Sequence, residues 1–540
     1  METSALSPRS GFLALNSAPL LFGVLSLLAG LILAPKAGAV TYTWNGNGSS
    51  VNWGVSGNWT GGTPVSASTT DLVFAGANNT GTLGTPLNQN IATPFLFQSI
   101  TFTNTAGNFF LGGGSLGLQN TNGFTATITQ NSANSQHIAN AILHTGTSGN
   151  NNVNLVLAGN GAGVGTMARN ITGGGGNRGV VITKTGSSTY RLTGVHEPAS
   201  TAAVSINGGV LQFVNRVSLY NTAYSDWTAD KIRVASGATF ALNVGGAGQF
   251  TNADITELFK NLGASTSSTN GMAAGSIFGF DTTNAAGGNF TIGDIITNTT
   301  GATGGARGVT KLGTNTLTLT AANTYSGGTI VAAGRLLVNN TTGSGTGTGS
   351  VLVNGPATLG GTGFISGPST VLGTHSPGIS AGIQTFSSSL TYGDGLGATP
   401  SLVWELFGNT TTGRGTSFDG INVAGALSFL DVTSMNLLFN GTGSSVAWSN
   451  AFWTSNRSWL LFSGASGLSG LSNLMVNPQN WMDSTSTGFN DFFAGSANFT
   501  LSNLGNNVYL NFNQGVVPEP SRALLGLLGL LSLGLRRRRA

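Results

Sequence analysis

Residues 307–340 read RGVTKLGTNTLTLTAANTYSGGTIVAAGRLLVNN, and the fold turns on this stretch. Thr316-Leu317-Thr318-Leu319-Thr320 alternates polar and apolar, which puts both leucines on one face of a strand. Gly327-Gly328 marks a bend, because glycine turns sharply without steric cost. Thr329-Ile330-Val331 is a second β-branched run; Gly334 bends the chain again, and Leu336-Leu337-Val338 closes the unit. Three short strands with no strong hairpin signal predict one turn of a coil. Such a turn is open above and below, so it needs similar turns on either side.

A second copy supplies one. In residues 178–215, Arg178-Gly179-Val180 matches Arg307-Gly308-Val309, and Lys184-Thr185-Gly186 matches Lys311-Leu312-Gly313. Tyr190 and Leu192 match Leu317 and Leu319, and Gly209-Val210-Leu211 matches Gly334-Arg335-Leu336. Shared order and spacing make this an internal repeat. The pattern, a Lys-x-Gly turn followed by Asn323-Thr324-Tyr325, Gly327-Gly328-Thr329 and Gly334-x-Leu336, resembles the autotransporter-associated β-strand repeat. The first copy has His196-Glu197-Pro198 where Asn-Thr-Tyr is expected, so that turn should differ. The resemblance implies a right-handed parallel β-helix in an exported protein, and no catalytic residues.

Only 7% of the 540 residues are charged, against roughly 25% in an average soluble protein, so the surface must present hydroxyls and amides. With 39% hydrophobic residues the chain is not built like a disordered one. Its basic balance comes from the ends. Setting aside Arg9, Lys36, Arg522, Arg536, Arg537, Arg538 and Arg539, with Glu2 and Glu519, leaves 13 basic against 14 acidic residues. No basic patch argues for nucleic acid. Cysteine is absent, which excludes a disulfide framework and thiolate chemistry.

Residues 11–34 are almost wholly apolar and run into Ala37-Gly38-Ala39, a small-x-small site for signal peptidase at Ala37 and Ala39. Strand-like alternation starts at Val40. Trp44, Trp53 and Trp59 follow closely; they could offer a sugar-stacking platform or close the apolar end of the first turn. Between the repeat copies, Asn252-Ala253-Asp254 could cap a short helix, with Ile255, Leu258 and Phe259 on one face. Longer strands in 399–515 predict a closing β-domain of the sandwich kind.

The tail is the most specific signal. Pro518-Glu519-Pro520 precedes an apolar run at 523–535 and a stop of Arg536, Arg537, Arg538 and Arg539. This order resembles the PEP-CTERM sorting signal of Gram-negative bacteria that export polysaccharide. The resemblance implies processing at Pro518, Glu519 and Pro520 by an exosortase-type membrane enzyme. The arginines would hold their side in the cytoplasm.

Chemistry is hard to find. Eleven Asp and five Glu are scattered, and His137, His144, His196 and His375 form no zinc pattern. Asp226 and Asp230 are close in sequence but read as loop residues. No catalytic, cofactor or metal residue is expected, and the protein is read as not an enzyme.

The expectation is therefore all-β. It comprises a signal peptide at 1–39, a right-handed parallel β-helix at 40–398 with its clearest repeats at 178–215 and 307–340, a C-terminal β-domain at 399–515, and a sorting segment and membrane anchor at 517–540. One short internal helix and an apolar helix at each terminus complete it. The expected function is a structural or adhesive protein of a Gram-negative cell surface or extracellular matrix, exported and transiently anchored in the membrane by its C-terminal helix. Signal peptidase and an exosortase-type enzyme are the expected partners, with exopolysaccharide as a further one. The alternatives are a glycan-active enzyme on a β-helix and an autotransporter passenger. The latter needs a C-terminal membrane barrel, where this chain ends in an apolar run and arginines.

Overall fold

The computed structural model describes residues 38–515, apart from residues 122, 147–150, 175–177, 198–201 and 266–269. The coil belongs to the unit that begins at Val40. From Thr70 to Glu197 each turn lays a short strand on each of three faces. Thr70–Phe74, Leu87–Gln89 and Phe95–Leu96 are followed by Ser99–Phe102, Phe110–Gly113 and Leu116–Leu118. Strands on the same face pair in parallel, with Leu72 opposite Ile100, Leu87 opposite Leu111 and Phe95 opposite Leu116. These faces form sheets of ten, fifteen and five strands.

The alternation seen in the sequence is the alternation of the coil wall. Tyr190, Leu211, Phe240, Phe278 and Val309 stand in register on successive strands of the fifteen-stranded sheet, and all are buried. Leu317 and Leu336 do the same on the next face. Each such side chain contributes about 1.5–3 kcal/mol by leaving water. The all-β, mostly parallel architecture fits a β-solenoid.

The two repeat copies lie on different faces. In the first, Val180–Lys184 belongs to the ten-stranded sheet and Thr189–Leu192 to the fifteen-stranded one. In the second, Gly308–Leu312 belongs to the fifteen-stranded sheet and Thr316–Leu319 to a new, eight-stranded one. The motif has advanced by one face. The change falls in the excursion between the copies, where the ten-stranded sheet ends at Gly271–Met272 and the eight-stranded sheet begins at Asn289–Ile292. In chain order, helix α1 (Asn252–Asn261) stands there where earlier turns have their third strand. Its cap is Thr251, one residue before the expected one, in a reciprocal capping box with Asp254.

Several expectations are corrected. Residues 399–515 are not a separate β-domain. Ser401–Glu405 pairs in parallel with Thr374–Pro377, and Ala426–Phe429 with Leu390–Tyr392, so the same sheets run on. Ser401–Glu405 and Thr433–Leu438 keep the buried alternation, and a sheet with an open edge and a matching strand to follow simply grows. The final six-stranded sheet is completed by an antiparallel hairpin of Asn498–Leu504 and Asn507–Asn513 against Arg457–Ser463. There are two helices among the described residues rather than one internal helix, the second being α2 (Phe489–Phe493). Neither is terminal: the described chain opens on strand Val40–Trp44 and closes on Asn507–Asn513. The apolar helices expected at 11–34 and 523–535 lie outside the described residues, and no described helix is long and apolar enough to cross a membrane.

Aromatic side chains fill both ends of the coil. Trp44, Trp53 and Trp59 are buried, with Trp59 edge-on to Trp44 and Trp53 at 5.0 and 5.7 Å. Trp59 Nε1 donates to Trp53 O at 2.9 Å. Of the two readings of this trio, closure of the first turn is the one that the geometry supports. At the other end Trp448, Trp453, Trp459 and Trp481 gather around Phe439 and Phe499.

Candidate functional site

The repeat turn is where sequence pattern and geometry meet most closely. Lys311, one residue before the end of its strand, has its side chain buried inside the corner, and Nζ donates to the carbonyls of Leu312 at 2.7 Å, Gly313 at 2.8 Å and Ala333 at 3.1 Å. An ammonium has three donors, and all are used. The third reaches the corner of the next turn, so the lysine staples two turns together. Lys184 repeats this with Thr185 O at 2.7 Å, Gly186 O at 2.9 Å and Gly208 O at 3.3 Å. Burial pulls both ammonium groups down to about 8, while the three carbonyls give the charged form its partners. The glycine is required because its φ is +76° at Gly313, where a Cβ would also meet Asp281 Oδ1 at 2.3 Å. Lys311→Met takes the ammonium from the Gly313 and Ala333 carbonyls, while Leu312 O keeps the Thr282 N–H at 3.1 Å. It should lower stability by about 2–4 kcal/mol in chemical denaturation; an unshifted midpoint would mean that the staple carries no weight.

The Asn-Thr-Tyr stretch forms the third side of this turn without a strand. Buried Asn323 accepts from the Ile296 N–H at 2.7 Å and donates to Gly345 O at 2.6 Å, bridging the turns on either side. The Tyr325 ring is buried and its hydroxyl meets Thr329 Oγ1 at 2.6 Å. Gly327 passes so close to Arg307 O that a Cβ would lie 2.3 Å from it. In the first copy the replacement does change the turn: His196–Glu197 is a short strand paired with Ile171–Thr172. The motif positions named here are spent on stacking.

Other candidates are local. Asp226 bonds Lys231, and Asp230 accepts from Asn270. His144 accepts from the Gly146 N–H through Nδ1 at 3.0 Å, so Nε2 donates to Asn151 O at 3.1 Å. His137 lies beside Phe110, its pKa lowered by burial. No group of three or more His, Asp or Glu among the described residues could hold a metal ion. Asp419 was not visible from the sequence as an acid; burial pushes it up to about 8, and Glu405 and Arg335 lie near enough to act on its charge. Asp419 is fully buried, however, and its two oxygens accept from the Gly382 and Glu405 N–H groups, both at 2.9 Å. It holds a loop and faces no solvent.

His375 is buried between Tyr392 and Gln384. Gln384 gives its amide hydrogen to Gly360 O, so its Oε1 accepts from His375 Nε2, and Nδ1 accepts from the Tyr392 hydroxyl. Burial lowers this imidazole to about 4. The unfolded chain takes up the proton more readily, so the stability that His375 contributes is present above its ordinary pKa and lost as pH falls toward 4, about 3 kcal/mol in all. Asp419, raised to about 8, acts in the opposite sense over an overlapping range. The measurement is therefore the difference between parent and His375→Gln: the variant should lose less stability between pH 6.5 and 4. Equal losses would count against a buried neutral ring.

Of the residues singled out for sorting, Ala39 is exposed just before the first strand. Ala37, Pro518, Glu519, Pro520, Arg536, Arg537, Arg538 and Arg539 lie outside the described residues.

A family model described as Passenger-associated-transport-repeat matches residues 309–338. No curated protein matches the chain significantly. The matched stretch runs from the coil turn built from Lys311, Asn323 and Tyr325 into Thr329–Val331 and Gly334–Val338, which stack on Gly308–Leu312 and Thr316–Leu319, so the three strands expected for a single turn are four strands on two turns. Together with the parallel coil it fits a passenger-like β-solenoid surface protein.

Proposed function

We propose that this is an exported structural or adhesive protein of the cell surface or extracellular matrix, delivered by its two terminal segments. The observation that carries the reading is the matched repeat at 309–338, folded as one coil turn and the two strands of the next that stack on it. The ends add the address. A signal peptidase cuts after Ala39; an exosortase-type enzyme acts at Pro518-Glu519-Pro520 while the apolar run at 523–535 and Arg536, Arg537, Arg538 and Arg539 anchor the chain transiently. Exopolysaccharide is the proposed matrix partner, since a surface poor in charge and rich in hydroxyls and amides suits neutral hydrogen-bonding polymers. Intact-mass analysis of protein from each cell fraction tests the sorting. The expected extracellular form begins at Val40 and lacks the residues beyond the Pro-Glu-Pro motif. A cytoplasmic protein retaining both ends would sink the proposal. The matched family's description also favours a second reading, a passenger translocated by a membrane barrel. In that case export would continue after Pro518-Glu519-Pro520 is replaced by alanines.

A further inference from the structure

The aromatic plug at the C-terminal end leaves an open cleft of about 540 Å3 beside the turn Ala451–Thr454 and α2, a size typical of small-ligand sites. Trp448, Trp453 and Phe493 line it, and Phe492, 46% exposed, stands at its wall. The indole N–H groups are already committed: Trp448 donates to Thr487 O at 2.9 Å and Trp453 to Asn409 Oδ1 at 2.7 Å. Both indoles are buried, about 1% exposed, and form the floor, so the apolar surface open to the cleft is that of Phe492 and the half-buried Phe493. The polar contribution comes from Asn450 and Gln514, with three hydroxyl side chains between them. Asn450 Oδ1 accepts from the Phe452 N–H at 2.9 Å, which fixes the amide at the exposed mouth. No Asp, Glu, Lys, Arg or His lines the cleft.

Aromatic surface combined with uncharged amides and hydroxyls matches the two kinds of surface on a pyranose ring: a face of C–H bonds that lies on aromatic carbon, and a periphery of hydroxyls that both donate and accept. Acidic sugars would find no cation to meet their charge, and amino sugars no carboxylate. We propose that this cleft binds a neutral saccharide unit of a longer glycan. The inference deepens the matrix reading and rests on it for the source of the glycan, while binding itself is separable from export.

The test titrates the purified full-length protein with hexaoses of glucose, galactose and N-acetylglucosamine, and with a galacturonic acid hexaose, followed by tryptophan fluorescence and calorimetry. At least one neutral hexaose should bind and change the emission, and the uronate should bind more weakly. Phe492→Ala and Gln514→Ala should each weaken binding by roughly tenfold. Unchanged unfolding midpoints establish that these variants fold. The proposal is overturned if no neutral hexaose binds, if both variants bind like the parent, if the uronate binds tightest, or if Phe492→Ala instead abolishes a concentration-dependent self-association that glycan leaves unaffected. A protein that binds hexaose but keeps both ends in the cytoplasm would overturn the sorting proposal alone; a processed, exported protein that binds none would overturn the cleft alone.

Discussion

Leu319→Asp should destabilise the coil by at least about 4 kcal/mol. Leu319 is fully buried, and its strand neighbours Ile292 and Val338 stand in register above and below it. The substitution removes an apolar side chain from a stack that cannot close up, because both neighbours are held by their own ladders. It then brings a carboxylate into a space with no donor to meet it. The damage should centre on the turns adjoining the repeat, since a solenoid transmits stability from neighbour to neighbour. Limited proteolysis should therefore cut first near 290–340. A variant as resistant as the parent would mean that the register drawn through Leu319 is wrong.

Asn323→Ala should cost about 3 kcal/mol without touching the apolar core. One amide side chain satisfies a buried N–H of the preceding turn and a buried carbonyl of the following one, and alanine strands both. Asn323→Asp separates the two roles. The carboxylate can still accept from Ile296 but cannot donate to Gly345, so this variant should be weakest at neutral pH and recover toward pH 4, where the acid can donate. Denaturation midpoints at the two pH values decide it; a variant with no recovery in acid would show that the Gly345 bond is not the limiting one.

The coil was legible wherever a residue's role depends on its immediate neighbours. Leu317 and Leu319 alternate because one wall of the coil is dry, and Gly313 and Gly334 recur because the corners need positive φ. Roles that depend on the turn above or below were visible only as recurrence. Lys184 and Lys311 stood out as matching letters, yet a lysine reads as surface until the carbonyls of the next corner are seen around it. Asp419 gave no signal, because its partners Gly382 and Glu405 are joined to it by the path of the coil and not by any spacing. The supposed closing domain misled for a related reason. Its strands are longer, as in Thr433–Leu438 and Arg457–Ser463, but length says nothing about which edge a strand joins. The cap cleft was missed because Trp448, Trp453 and Phe492 mean little until the last turn brings them together.

The advance of the motif by one face has a directional consequence. Two copies of a repeat stacked on the same side would show the same outward residues in a single column, and a long partner could run along both. Here the outward Thr183 of the first copy and Thr310 of the second belong to different sheets. The fifteen-stranded sheet runs unbroken past α1, so the second copy opens on the face where the first copy has Thr189–Leu192, and the two outward threonines never share a column.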